Sequence, residues 1–326
     1  MLSLLKSRSY SIGVDLANDA LKLVQLAEDA KGLSLVAGRS ECRPHEIQPG
    51  SSTWQKWAID SMSRLAAHGG FRGRDVTAAI PPSELHIEHM RMPKKSDSEL
   101  LSVLFGRIKQ KLPFEANREN TLIDYIATEG DNVMVLAADR AIIDRHLAIY
   151  EKAGLHARTI GAWPAALATC YARFFGRRRS DLEAVVMLLC LEPSCTNVVI
   201  ARHKAPLFAH SIPIGCDHLH DEQGIGRLVL ELTGCRRHFS TIYRDAQVER
   251  LIFLAGHNIE RETCAEVAKQ LEIPAQMGDC LAAIQIVDPR RLGIDRRTPA
   301  ATQVGEARRQ KQVNWATAFG LCLSQN

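Results

Sequence analysis

Residues 12–26 read IGVDLANDALKLVQL, and this stretch decides the fold. Ile12–Leu16 and Ala20–Leu26 read as two strands, and the short polar break at Asn18-Asp19 fits a hairpin turn between them. A carboxylate, Asp15, closes the first strand, and a lysine, Lys22, opens the second. A turn behind an aspartate can cradle phosphate when its backbone amides converge and the carboxylate holds hydrated magnesium. Working outward, GLSLVAGRSE is a third strand, and SSTWQKWAIDSMSRLAAHGG carries an apolar helical stripe through Trp54, Trp57, Ala58, Met62 and Leu65, ending at Gly69-Gly70. DVTAAI is a short buried strand stopped by Pro81-Pro82. Three strands, a helix and a strand make a mixed sheet with one crossover.

The rhythm then changes. LHIEHMRM alternates as a half-exposed strand, and Ser96-Asp97-Ser98-Glu99 reads as a capping box opening a helix to about Leu112, before Pro113. TLIDYIA and NVMVLAA are strands joined by Glu129-Gly130-Asp131, and DRAIIDRHLAIYEKAG is an amphipathic helix with Gly154 at its C-terminal end. This is an α+β insert. LHARTIGAWPAALATCYARFF returns to the first domain as strand and helix. AVVMLLCLE, TNVVIAR and APLFAHSIPIG then repeat the opening three-strand order, the mark of a duplicated fold. A long amphipathic helix (residues 224–245), the strand RLIFLAG, the helix ERETCAEVAKQL and the small-residue helix NWATAFGLCL complete the chain.

Composition narrows the function classes. With 326 residues, 46% hydrophobic and 24% charged, the chain has the make-up of a globular protein large enough for more than one domain. The net charge of +4 is too small to argue for nucleic acid. Arginines cluster at Arg177–Arg179, Arg236-Arg237, Arg290-Arg291, Arg296-Arg297 and Arg308-Arg309, as solvated helix ends and loops or as contacts to anionic lipid headgroups. No apolar run reaches the roughly 20 residues of a membrane span, and the start does not read as a signal peptide, so the expected location is the cytoplasm. Nine cysteines without a Cys-x-x-Cys pair suit buried, reduced thiols; neither Cys190 and Cys195 nor His218 and His220, in a stretch read as a polar loop, completes a metal set.

The order of elements and six stretches in sequence resemble the type IV pilus assembly protein PilM family, which is actin-like and FtsA-like. IGVDLANDALKLVQL is similar to the family's first phosphate loop; IPPSELHIEHMRMPKKSDSEL with KLPFEANRENTLIDY resembles its inserted subdomain; LFAHSIPIG resembles the strand entering its last subdomain; LIFLAGHN and WATAFGLCL resemble the adenosine loop and final helix. The resemblance implies an α/β, actin-like (ribonuclease H-like) fold of duplicated mixed-sheet domains. Its parts would be a first subdomain (1–80 and 159–180), an inserted α+β subdomain (81–158) and a second domain (181–326). Only CDHLHDEQ separates Gly215 from the long helix, so the family's last, 2B-like subdomain is expected to be largely missing, reduced to about 216–245.

The resemblance also places the residual nucleotide positions at Asp15, Ala17, Asn18, Lys22, Thr196, Gly256 and His257, with Asp15 as the one magnesium ligand were metal to bind. These loops depart from the family. Ala17 stands for a glycine, and an alanine at positive φ costs about 1 kcal/mol, while Asp19 adds a like charge beside phosphate. In the second loop Cys190 stands for an aspartate, Glu192 stands for a glycine and, pointed into the cradle, would repel what should bind, and Pro193 removes an amide donor. In the third, His257 stands for a glycine. The expectation is therefore no cofactor and no catalytic residue, with ATP and magnesium as the lesser alternative. The implied role is a cytoplasmic scaffold of a type IV pilus or related secretion machine. It would bind the short tail of an inner-membrane PilN-like protein and meet the motor ATPases, and it would associate with the membrane through its partner. The competing reading is an ATPase or nucleotide switch using Asp15 and Lys22. A small-molecule kinase would need a substrate-side general base, and no motif supplies one.

Overall fold

The computed structural model describes residues 8–30, 32–92, 97–255, 259–284 and 313–324. The Ser96 cap, Gly256, His257 and the arginine pairs from 290 onward lie outside them. The first half runs β1 (Arg8–Ser9), β2 (Ile12–Leu16), β3 (Ala20–Asp29), β4 (Gly32–Cys42), α1 (Ser52–His68) and β5 (Asp75–Ile80). The insert follows as β6 (His86–Arg91), α2 (Asp97–Ile108), β7 (Thr121–Ala127), β8 (Asn132–Asp139) and α3 (Arg140–Lys152). β9 (His156–Ala162) and α4 (Trp163–Phe174) return to the first half. The second half is β10 (Val185–Leu191), β11 (Thr196–Arg202), β12 (Ala205–Ile212), α5 (Glu222–Ile242), β13 (Arg250–Leu254), α6 (Arg261–Leu271), β14 (Ala275–Gly278) and α7 (Cys280–Ala283), with α8 (Ala316–Leu323) last.

The sheets share one plan. In the first, β3 pairs antiparallel with β2 and β4, while β2 pairs parallel with β5 and β5 with β9. In the second, β11 pairs antiparallel with β10 and β12, while β10 pairs parallel with β13 and β13 with β14. This is the expected duplication. The insert carries its own sheet, ordered β6-β8-β7.

Strand parity builds the layers. On β10, Val185, Met187, Leu189 and Leu191 face the core beneath α5 and α6, whereas Val186, Leu188 and Cys190 face α4 and α8. On β2, Ile12, Val14 and Leu16 face the core under α1 and α3, which turns Gly13 and Asp15 toward α8. The helices α4 and α8 thus lie between the two sheets and belong to one core with both. Gly13 is required there: a Cβ on it would stand 2.1 Å from the Ala318 carbonyl oxygen.

Local differences from the sequence reading have physical causes. α2 stops at Ile108, four residues before Leu112, because the chain turns there to bury Leu112 in the insert's core. The α3 end is as expected, with Gly154 at φ 73°. Between β12 and α5 lies only a short turn, Cys216–His218, and it is not wholly polar: Leu219 is buried and the His218 Nδ1 accepts from the Gly215 amide at 3.1 Å. The insert leans on the second half. His89 Nε2 accepts from the Ala209 amide at 3.0 Å, and its ring stacks on Phe208. Burial, with His238 and His210 nearby, pushes this imidazole down to about 3, leaving it a neutral acceptor. Tyr243, at the C-terminal cap of α5, donates to Thr128 of the insert at 2.6 Å. Together these contacts cap the outer edge of β12.

Candidate functional site

The strand ends of both halves meet in a cavity of about 430 Å³. Asp15, Ala17, Asn18 and Asp19 line it from the first half and Glu192, Ser194, Cys195 and Asn197 from the second, with Trp163 and Thr317 behind. Parity explains the convergence. Asp15 and Lys22 are register partners across the hairpin, and both face inward between residues that face the outer core. Glu192 follows Cys190 by two positions and so projects to the same side.

Lys22 is only 1% exposed. Its ammonium donates to Glu192 Oε1 at 2.7 Å and to Asp15 Oδ2 at 3.2 Å. Glu192, expected as a repelling charge in an empty cradle, is therefore the lysine's nearer partner, reaching it from the opposite half. Burial alone would discharge the ammonium, but Glu192 and Asp15 outweigh that and raise its pKa above the ordinary value. Burial pushes the Glu192 carboxyl up to about 7; Lys22 opposes the rise and Asp15 adds to it.

The two turns also grip each other. Asp19 Oδ2 accepts from the Ser194 amide at 3.0 Å and from its hydroxyl at 2.6 Å. The charge expected to repel a ligand holds the other loop instead. The first turn carries no strain at Ala17, since among the described residues only His203 and Glu272 are non-glycines with positive φ. Instead Ala17 donates its amide to the Ala20 carbonyl at 3.0 Å, an ordinary tight turn. Arg43 braces it by donating to the Asn18 carbonyl. The second turn is closed by Glu192 N–H to the Cys195 carbonyl at 2.9 Å and anchored by the Cys216 amide to the Glu192 carbonyl at 2.9 Å. Gly215 is needed at that crossing, because a Cβ would lie 2.3 Å from the Glu192 carbonyl oxygen.

Of the positions matched to a nucleotide site, Asp15, Ala17 and Asn18 line the cavity and Lys22 lies sealed behind Asp15 and Glu192. Thr196 is buried away from it, its hydroxyl donating to the Ile214 carbonyl at 2.6 Å. Sequence reasoning missed the cross-half roles of Asp19 and Ser194, and missed Asn314, whose amide donates to the Leu191 and Leu254 carbonyls at 3.1 and 2.6 Å. Parity along LCLE is the signal that could have given Glu192's direction; nothing local gives its partner.

This donor set does not fit a magnesium-bound triphosphate. Among the described residues, the cavity lining holds carboxylates from Asp15, Asp19 and Glu192 and no lysine or arginine. Lys22, the nearby cation, already has two carboxylates. Cys190 is buried, takes a 3.2 Å contact from the Asn314 amide, and burial raises its thiol well above the ordinary value, so it offers no thiolate. Among the described residues no group of three or more His, Cys, Asp or Glu could hold a metal ion.

A pH dependence follows. A carboxyl whose pKa is raised on folding adds stability that is complete below its ordinary value of 4.5 and is lost as pH rises through about 7. Glu192→Gln is therefore expected to lose less stability than the wild type between pH 5 and pH 8. Denaturant unfolding at the two pH values measures the difference; parallel losses would remove Glu192 as its source.

No protein-family model and no curated protein matches the chain. Solved structures do. A chain of the PilM-PilN type IV pilus biogenesis complex is similar over 96% of this chain and 98% of that one, at 19% identity and a TM-score of 0.72. Fainter likenesses are to the cytoplasmic domain of EpsL, an inner membrane component of the type II secretion system of Vibrio cholerae (10% identity, 93% and 94% covered, TM-score 0.48). Ethanolamine utilization protein EutJ from Carboxydothermus hydrogenoformans is similar at 12% identity, with 86% and 88% covered and a TM-score of 0.49. The chain has an actin-like fold of duplicated mixed sheets with an inserted α+β unit. Within that class its fold is that of the pilus-complex chain.

Proposed function

We propose that this protein is a non-catalytic adaptor of a type IV pilus or related secretion machine, holding the short cytoplasmic tail of a single-span, PilN-like inner-membrane protein. The observation that carries the reading is Lys22, buried between Asp15 and Glu192 where an actin-like ATPase would need a free cation for phosphate. The likeness to a chain from a PilM-PilN complex supports the choice of machine and partner. Membrane association would come through that partner, since no described helix is long and apolar enough to cross a bilayer. Strand addition to the insert's sheet is the recognition mode that suits an extended tail, with β7 as the outer strand. The motor ATPases of the machine are further partners in this reading.

A nucleotide switch is the second reading, favoured by the 430 Å³ cavity beside Asp15. Two measurements separate them. A labelled peptide copying the partner's tail is expected to bind with a Kd of about 1–10 µM, and no binding at ten times that concentration removes the adaptor. Magnesium-ATP is expected to leave the thermal midpoint unchanged. A rise that Asp15→Ala abolishes establishes the switch.

A further inference from the structure

We propose that Glu192 is an internal stand-in for a bound anion: its carboxylate fills the place beside Lys22 that a ligand's anionic oxygen would take, and the bridge it makes holds the two halves together without a ligand. The inference rests on the reading that no nucleotide works in this cleft, and deepens it into a statement about conformation.

Three observations carry it. First, Lys22 already has a counter-charge in its own half, Asp15 at 3.2 Å, yet its shorter bond, 2.7 Å, goes to the other half. A buried ammonium paired only within its half would say nothing about closure; this one ties β3 to the end of β10. Second, the exchange is reciprocal. The first half sends Asp19 to the Ser194 amide and hydroxyl while the second sends Glu192 to Lys22, so each turn supplies the other's ligand. Third, both turns are fixed from behind. The Arg43 amide donates to the Asp19 carbonyl at 2.9 Å, and the Cys216 and Asp217 amides donate to the Glu192 and Pro193 carbonyls at 2.9 and 3.0 Å. Side chains held on braced backbones form a standing contact, because little conformational entropy remains to be lost on closing it. In a ligand-gated cleft the anion arrives from solution and closure follows its concentration. Here the anion is covalently part of the chain, so closure is constitutive and a partner meets one fixed arrangement of the halves.

The test is chemical rescue of Glu192→Gly at pH 8. Removing the side chain leaves Lys22 facing a gap where the carboxylate stood. The variant is expected to melt about 5 °C or more below the wild type, and its amide hydrogens at 17–19, 192, 194 and 195 should exchange about tenfold faster or more. Formate or inorganic phosphate at about 50 mM should restore much of both, through binding to the folded form, while sodium chloride of equal ionic strength should not. A variant that melts with the wild type, or one whose loss neither anion reverses, overturns the proposal. Should Glu192→Gly fail to fold, the wild type still decides. Exchange at the two turns that is unchanged by saturating pyrophosphate or magnesium-ATP supports the internal anion, and protection gained on adding either overturns it. Failure of anion rescue in a nucleotide-insensitive protein sinks this inference alone, whereas failure of the tail peptide to bind touches only the adaptor reading.

Discussion

Lys22→Met is expected to destabilise the protein by about 3–5 kcal/mol, the cost of leaving buried acids without their cation. Asp15 and Glu192 are 8% and 5% exposed, so neither can turn to water for relief. The loss should grow as pH rises from 5 to 8, because the Glu192 carboxyl, already raised to about 7 beside Lys22, is harder still to ionise without it, and should shrink in acid. Lys22→Met combined with Glu192→Leu should regain the part of the loss that Glu192 causes, while Asp15 stays without its cation, since apolar groups of similar volume often replace buried ion bridges at little cost. Denaturant unfolding of both single variants and the double variant gives the coupling directly. Additive losses would mean that Lys22 and Glu192 do not act on each other, and the bridge would then play no part in holding the halves.

The second large effect is at the helix between the sheets. Gly320→Val should cost more than about 3 kcal/mol. A Cβ at Gly320 would stand 1.9 Å from the Ala166 carbonyl oxygen of α4, and both sides of that contact are backbone, so no side chain can give way. Since α4 and α8 share a core with both sheets, prising them apart loosens each half at once. Gly234 makes the control. It lies within α5, is exposed, and a Cβ there would meet nothing within 4 Å. Gly234→Ala should therefore stabilise by about 0.5–1 kcal/mol through helix propensity. Thermal or denaturant unfolding of the two variants distinguishes close packing from a general intolerance of change at glycine. Equal, small effects would show that α8 does not seat against α4 as tightly as its geometry implies.

Much of the architecture was legible because it is written in short spacings. Two-residue alternation along Ile12–Leu26 and the unbroken apolar run Val185–Leu191 mark strands, and the two-residue repeat of a strand assigns each side chain to a face. Three- and four-residue spacing along α1 and α5 marks helices with one buried side. The boundaries slipped where tertiary packing intervened, as at Leu112, which is buried by a turn and not by a continued helix. The site was less legible. Ala17, Asp19 and Glu192 were read as defects in a phosphate cradle, each weighed against an absent ligand. In the fold Asp19 and Glu192 are bonded to the opposite half, and Ala17 sits in a relaxed turn.

What the residues alone determined is therefore the repeated order of strands and helices, the inserted unit, the pairing of Asp15 with Lys22 across one hairpin, and the inward direction of Glu192. These depend on neighbours two to seven positions away, where chain geometry fixes who faces whom. Only the tertiary structure decided that Lys22 meets Glu192, 170 positions on, and that Asp19 meets Ser194, 175 positions on. Parity can say which way a side chain points, but its partner across the cleft depends on how two sheets and two buried helices stack, and no local pattern records that distance.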